Sequence, residues 1–232
     1  MAKNYGINGR MSGKLGAAVF TNQGEANVAA GYNPKKTRGV SVRDELSHAR
    51  FLQAHELAAL LGRDAVHVQG LTLKRRASYL ERVCNRVLVV REGVEGYEVL
   101  FTPSTLLLAD GGASMPYKGI EWVYLFYMMQ GGRPYVMAQV SFIEAQAGGG
   151  NEWYLIMVNK SLGGGMMVFK WRQEWVKDYA QIGNGTRWCL PKGIDRDDWQ
   201  VALMLCPFRN EGGEAGVRRS FSRSMVVATS WS

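Results

Sequence analysis

The sequence predicts an α+β protein in which two helices precede an antiparallel β-sandwich. Three observations carry this. Apolar residues recur at helical spacing between residues 41 and 91. From Glu95 onward, short β-type runs alternate with glycine-rich breaks. Basic charge is concentrated ahead of that change: residues 1–91 hold 15 Lys/Arg against 6 Asp/Glu, and residues 92–232 hold 13 against 14. The expected organisation is a Gly-rich basic arm over 1–40, a helical basic region over 41–91 and a β-sandwich domain over 92–232. A barrel is the alternative closure of the same strands.

The arm carries glycine at positions 6, 9, 13 and 16, which frees the backbone at short intervals and argues against a long regular element before Leu15. Leu15–Thr21 and Ala26–Tyr32 are expected to pair as a hairpin across Asn22-Gln23-Gly24. Asn33-Pro34-Lys35-Lys36 breaks the chain. A first helix then starts with Ser41 as N-cap and Asp44 at N3, and stops at Gly62. Its apolar residues fall on two stripes, one through Leu46, Ala49, Leu57, Leu60 and Leu61, the other through Phe51, Ala54 and Ala58. Two neighbours are expected for it.

A second helix is expected over Thr72–Val90. Leu73, Ala77, Leu80, Cys84, Val87 and Leu88 share one face, and Lys74, Arg75, Arg82 and Arg86 project from the other, offset locally by Glu81 alone. A face of single sign at this density points to an anionic neighbour.

Seven β segments follow: Tyr97–Thr102, Trp122–Met129, Tyr135–Ala145, Trp153–Asn159, Met166–Trp175, Gln200–Phe208 and Phe221–Trp231. Residues 176–198 read as a long irregular connection. All seven tryptophans lie in this region, as packing residues or as anchors where one patch meets another.

With 47% apolar residues the chain can bury a sizeable core. The longest apolar run, Trp122–Met129, is far shorter than a membrane-spanning helix needs, and no apolar segment follows Met1–Gly6, so neither a membrane span nor a signal peptide is expected. Cys84, Cys189 and Cys206 are too far apart for a zinc site and are expected to be reduced, buried hydrophobes.

Catalytic motifs fail one by one. Gly9-Arg10-Met11-Ser12-Gly13-Lys14 has Asn8 in place of the first P-loop glycine and Leu15 in place of the magnesium-ligating hydroxyl. His48 and His55 are seven apart, not at the i,i+4 spacing of helical metal ligands. Asp195, Asp197 and Asp198 lack a following set of calcium ligands. Phe169-Lys170-Trp171-Arg172 is the one run that interleaves aromatic with basic residues, as base stacking requires. No catalytic residue, metal or cofactor is therefore expected.

The run Gly6…Gly9…Ser12-Gly13-Lys14-x-Gly16, then Asn33-Pro34, Arg50-Phe51 and Lys74-Arg75-Arg76-Ala77-x-Tyr79-Leu80, resembles a family found in Bacteroidetes genomes and their phages. Its members have a Gly/Lys-rich N-terminal segment, two helices and a C-terminal immunoglobulin-like β domain. The specific residues lie within about the first 80, and Gly39-Val40-Ser41 departs from the family's threonine/glutamine-rich helix start. The resemblance implies a phage structural or assembly protein, made in the host cytoplasm and residing in the virion. Its partners would be other virion proteins, further copies of itself and nucleic acid, with no membrane.

On this reading Lys3, Arg10, Lys14, Lys35, Lys36, Arg38, Lys74, Arg75, Arg82 and Arg86 contact nucleic acid or an acidic neighbour. The alternatives are a stand-alone non-specific DNA-binding protein and a small hydrolase, the latter motivated only by the acidic turn and the histidines.

Overall fold

Residues 1–42 and 43–232 form two compact units. They are seen in a computed structural model, which describes residues 3–5, 10–15, 18–23, 26–31, 41–94, 96–212 and 218–232. The first unit contains β1 (Lys3–Tyr5), β2 (Arg10–Leu15), β3 (Ala18–Gln23) and β4 (Ala26–Gly31), paired in chain order as an antiparallel sheet. The expected hairpin is the β3–β4 pair. Pairing runs on to Gln23 opposite Ala26, so Asn22 and Gln23 belong to the strand rather than to the turn.

The first helix, α1 (Val42–Leu61), begins directly after Ser41, and from Arg43 onward it belongs to the second unit. It stops at Gly62, whose φ of 70° and ψ of 149° lie in a region that favours glycine. β5 (His67–Val68), α2 (Leu73–Val87), β6 (Leu88–Gly93), β7 (Gly96–Phe101) and β8 (Ala109–Asp110) follow. Then come β9 (Gly119–Gln130), β10 (Arg133–Ala145), β11 (Gly149–Asn159), β12 (Met166–Glu174) and β13 (Tyr179–Cys189). The chain ends with β14 (Trp199–Glu211), β15 (Arg218–Phe221) and β16 (Met225–Ala228).

Apart from the two-residue parallel pair β5–β8, the sheets are antiparallel. One has the order β13-β10-β9; the other has the order β12-β11-β14-β15, with β16 also on β14. Both are open, so the barrel alternative does not hold.

Strand alternation gives β11 and β14 two buried faces. Trp153, Leu155 and Met157 of β11, with Val201, Leu203 and Leu205 of β14, share a core with Val136, Ala138, Val140 and Phe142 of the three-stranded sheet. Tyr154, Ile156 and Val158, with Ala202, Met204 and Cys206, share the opposite core with Leu57, Leu61, Leu80, Cys84 and Val87 of the helices. The second unit is thus three layers: helices, five strands, three strands. The boundary expected at residue 92 falls within the β6–β7 hairpin, and one core holds residues from both sides of it.

Three element assignments need correction. The second helix ends at Val87, and Leu88–Gly93 is strand: Leu88 and Val90 are buried while Val89 is exposed, an alternation that helical spacing hides over three residues. Residues 176–198 are not irregular, because β13 runs through Tyr179–Cys189 with ten residue pairs to β10. Its glycines and polar residues give no strand signal of their own, and the neighbouring edge imposes the conformation. The last expected strand is two, β15 and β16, separated where Ser222 N–H donates to the Pro207 carbonyl and Ser224 Oγ accepts from the Leu108 and Ala109 amides.

The apolar stripes are also narrower than expected. Phe51, Leu60 and Leu73 are exposed, and Ala77 lies outside the core. Cys189 is exposed, unlike Cys84 and Cys206.

Leu57→Ala and Ile156→Ala empty opposite walls of one core, and each is expected to cost about 2–5 kcal/mol. Helical circular dichroism and tryptophan fluorescence should then report one shared unfolding transition for residues 43–232. A chain beginning at residue 92 should show no cooperative transition. Separate helix and sheet transitions would contradict the shared core.

Candidate functional site

The most concentrated polar arrangement lies where β5 meets β11 and β12. Glu152 precedes the fully apolar stretch of β11 and is 7% exposed. Its Oε1 accepts from Arg172 Nε at 3.0 Å and Nη2 at 2.6 Å; its Oε2 accepts from His67 Nε2 at 3.1 Å and from the Tyr154 hydroxyl at 2.9 Å. Register puts Arg172 directly opposite Glu152. His67 comes from β5, 85 residues away in sequence, and its ring stacks on Phe221 with centroids 3.6 Å apart.

Burial pushes the Glu152 carboxyl up, but the hydrogen bonds from His67, Arg172 and Tyr154 and the charge of His67 outweigh it. They hold the group at about 2. A carboxylate held that low is a poor proton acceptor, so the cluster is built as an anchor between layers. Burial pushes the Tyr154 hydroxyl up, as does the neighbouring Glu152 charge, which keeps it a donor.

A cavity of about 330 Å³ opens beside this cluster, reaching Asp64, Lys170 and Trp171. Its cations are occupied. Lys170 Nζ donates to the Leu61 carbonyl at 2.5 Å, neutralising the C-terminal end of α1, and Arg172 is engaged with Glu152. The run Phe169-Lys170-Trp171-Arg172 is therefore no stacking platform. Phe169 and Trp171 pack against the inter-sheet core, while Lys170 and Arg172 lie on the opposite face.

Of the predicted α2 residues, Arg75, Arg82 and Arg86 share one stripe, and Lys74 lies about 80–120° round the helix from them. Lys74, Arg75, Arg82 and Arg86 are all exposed. At about 100° per residue, Arg75, Arg82 and Arg86 fall within about 40° of one another and span about 16 Å of helix. Glu81, the local acid, is taken by His55 Nδ1 of α1 at 3.2 Å. Among the described residues none of the four cations forms an ion pair. Of the N-terminal group, Lys3 is on β1 and Arg10 and Lys14 are on β2, whereas Lys35, Lys36 and Arg38 lie outside the described residues.

The apolar run Trp122–Met129 of β9 is divided between two faces. Leu125 is buried, whereas Trp122, Tyr124 and Phe126 form an outward aromatic ladder with centroids 5.1 and 5.5 Å apart. The turn at Asp195–Asp198 is closed on itself, with Asp195 Oδ1 accepting from the Asp197 amide at 3.0 Å. No group of three or more His, Cys, Asp or Glu among the described residues is placed to hold a metal. The Glu152 cluster escapes sequence reasoning because its members are scattered along the chain. The available signal is an acid set immediately before six apolar residues of a strand.

No family model and no curated protein matches this chain. Among solved structures, an X-ray structure of a Northeast Structural Genomics Consortium target matches at 12% identity and a TM-score of 0.22, over 49% of this chain and 88% of that one. A likeness so slight carries no argument about fold or function.

The pH dependence of the anchor has a definite sign. The Glu152 carboxyl is held at about 2 against an ordinary 4.5, so its stabilisation is complete above about pH 4.5 and is lost as pH falls toward 2. A depression of that size corresponds to about 3 kcal/mol. Glu152→Gln should therefore be destabilised by about that amount at neutral pH and lose stability less steeply on acidification. Parallel stability profiles for the two chains between pH 5 and 2 would show that the ionised carboxylate is not the anchor.

Proposed function

We propose that this chain is a non-enzymatic structural or assembly protein of a phage particle, whose basic N-terminal region and α2 face contact nucleic acid or an acidic neighbouring subunit. The observation that carries the binding part is the α2 stripe: exposed cations in a row, with the local carboxylate drawn away to His55. Cations left unpaired on one helical face attract a polyanion and release its counterions on binding.

The phage setting rests on the resemblance in residues 6–80. The two packed antiparallel sheets support the immunoglobulin-like β domain which that resemblance implies. The outward aromatic ladder of Trp122, Tyr124 and Phe126 supplies apolar surface of the kind subunit interfaces use, either with other virion proteins or between copies of this chain.

Replacing Lys74, Arg75, Arg82 and Arg86 together by glutamine should weaken binding to DNA of any sequence. The log–log salt slope should fall by about 0.7–0.9 for each phosphate that is no longer neutralised. Stability should shift by no more than about 0.5 kcal/mol per site, because these are exposed helix positions. An unchanged salt slope would exclude phosphate binding by this face.

Removing residues 1–40 should abolish incorporation into particles or oligomers while leaving the unfolding transition of residues 43–232 in place. Normal incorporation of the truncated chain would remove the support for an assembly role. If that truncation and the removal of all partners left DNA binding intact, the stand-alone DNA-binding reading would be favoured.

A further inference from the structure

The face of the three-stranded sheet turned away from the five-stranded one is apolar. β9 contributes Trp122, Tyr124, Phe126 and Met128 to it, and β10 contributes Tyr135 and Met137. None of the six belongs to either core. A contiguous apolar face left outside the core of a folded unit marks a place where something else packs.

Register sets this face in rows. Trp122 is followed across the sheet by Ser141 and Gly183, and Tyr124 by Gln139 and Gly185. At these rows the face is bulky along β9 and bare along β13. Trp122 leans across the sheet, and a Cβ on Gly183 would stand 3.9 Å from its ring. Tyr124 is 44% exposed.

Glu121 and Arg187, the charges beside these rows, are already engaged. Glu121 Oε2 accepts from Ser141 Oγ at 3.1 Å and from Gln181 Nε2. Arg187 Nη1 donates to Gln130 Oε1 at 2.8 Å, with its guanidinium over the Tyr135 ring. Covering the face therefore strands neither charge without a hydrogen bond. The free edge of β9 is taken at its middle. There the Leu125 amide donates to Ser232 Oγ at 2.9 Å, and the Leu125 carbonyl accepts from the Ser232 amide at 2.8 Å.

We propose that this face packs against the same face of a second copy of the chain, forming a two-fold dimer. The inference deepens the assembly reading above by naming one of its partners. The face lies wholly within residues 43–232, so this dimer is separate from the oligomers proposed to form through the arm. A two-fold axis parallel to β10 lays the β9 side of each copy over the β13 side of the other. Each Tyr124 then meets the bare Gly185 of the opposite copy, and Gln139 faces its own counterpart. An axis that set β9 on β9 would oppose the two aromatic ladders and leave both glycine strips uncovered.

The area is sufficient. Three strands of at least eleven residues cover roughly 14 by 36 Å, or about 500 Å² per copy. Two copies then bury about 1,000 Å², the lower size of a specific interface. An acidic or basic partner would find no counter-charge in the rows of Trp122 and Tyr124, whereas a second copy needs none.

Sedimentation equilibrium of the full chain should show a dimer with a dissociation constant on the order of 10 μM. Tyr124→Lys, which sets an unpaired charge in the middle of the interface, should weaken it about a hundredfold or more. Its unfolding transition should stay in place, because Tyr124 lies outside both cores. Cross-linking reads the axis. In a Cys189→Ser background, Gln139→Cys should give covalent dimers with a short bismaleimide. Packed sheets stand about 10 Å apart, beyond the reach of a disulfide. Ser47→Cys, exposed on α1, should give none.

A full chain still monomeric at about 100 μM would overturn the proposal. So would a dimer indifferent to Tyr124→Lys, or a Gln139→Cys chain that cross-links no better than Ser47→Cys. The chain with Lys74, Arg75, Arg82 and Arg86 replaced by glutamine should dimerise as the native one does. If that chain lost the dimer, self-association would belong to the basic face of α2; the proposal would fall and the assembly reading would stand. A dimer at the sheet face beside an unchanged DNA salt slope in the glutamine chain would leave the proposal standing and remove the nucleic-acid reading.

Discussion

The two-sided burial of the β11–β14 pair is the constraint on which the rest of residues 43–232 depends. Antiparallel sheets commonly keep one face in water, and their strands then alternate apolar with polar residues. Here ten successive residues of β11 are buried, and both faces of the strand need a cover. One is supplied by the helices, the other by the three-stranded sheet. Neither cover has another apolar partner of comparable extent, so the three layers stand or fall together.

Burial on both faces leaves few places for charge, and the second unit puts its polar ties at the margins of the helical layer. Arg50 bonds the Asn85 carbonyl and holds α1 to α2. Gln200 bridges β14 to β7 through the Phe101 amide and the Val99 carbonyl. Glu152, His67, Arg172 and Tyr154 fix β5 against the large sheet. The last of these is the most demanding. A buried carboxylate is tolerated only when its acceptor positions are filled, and four donor atoms from three side chains fill them here. The same hydrogen bonds fix the His67 ring, which lines both the cavity beside Glu152 and a second one reached by Arg76.

Two basic surfaces follow from one helix. Arg75, Arg82 and Arg86 repeat on the outward side of α2, while Arg76, one residue on from Arg75, turns toward a cavity. That separation is a consequence of helical phase.

Periodicity alone determined where α1 and α2 lie and which strands make up the body of the β region, because the alternation of Tyr135–Ala145 and the unbroken apolar run from Trp153 are local signals. Charge alone located the exposed face of α2, since the side of a helix occupied by Arg75, Arg82 and Arg86 is fixed by their spacing. The tertiary structure decided the rest. β13 is a strand because β10 offers it an edge, although its own glycines and polar residues specify nothing. Leu88–Gly93 leaves the helix because β7 pairs with it. The anchor at Glu152 joins β5 to β11 across 85 residues, and the cavity beside Arg76 draws on β15 at the far end of the chain. Such sites are invisible to a window of sequence because each is made by chain closure, which brings together residues whose local patterns carry no mark of one another.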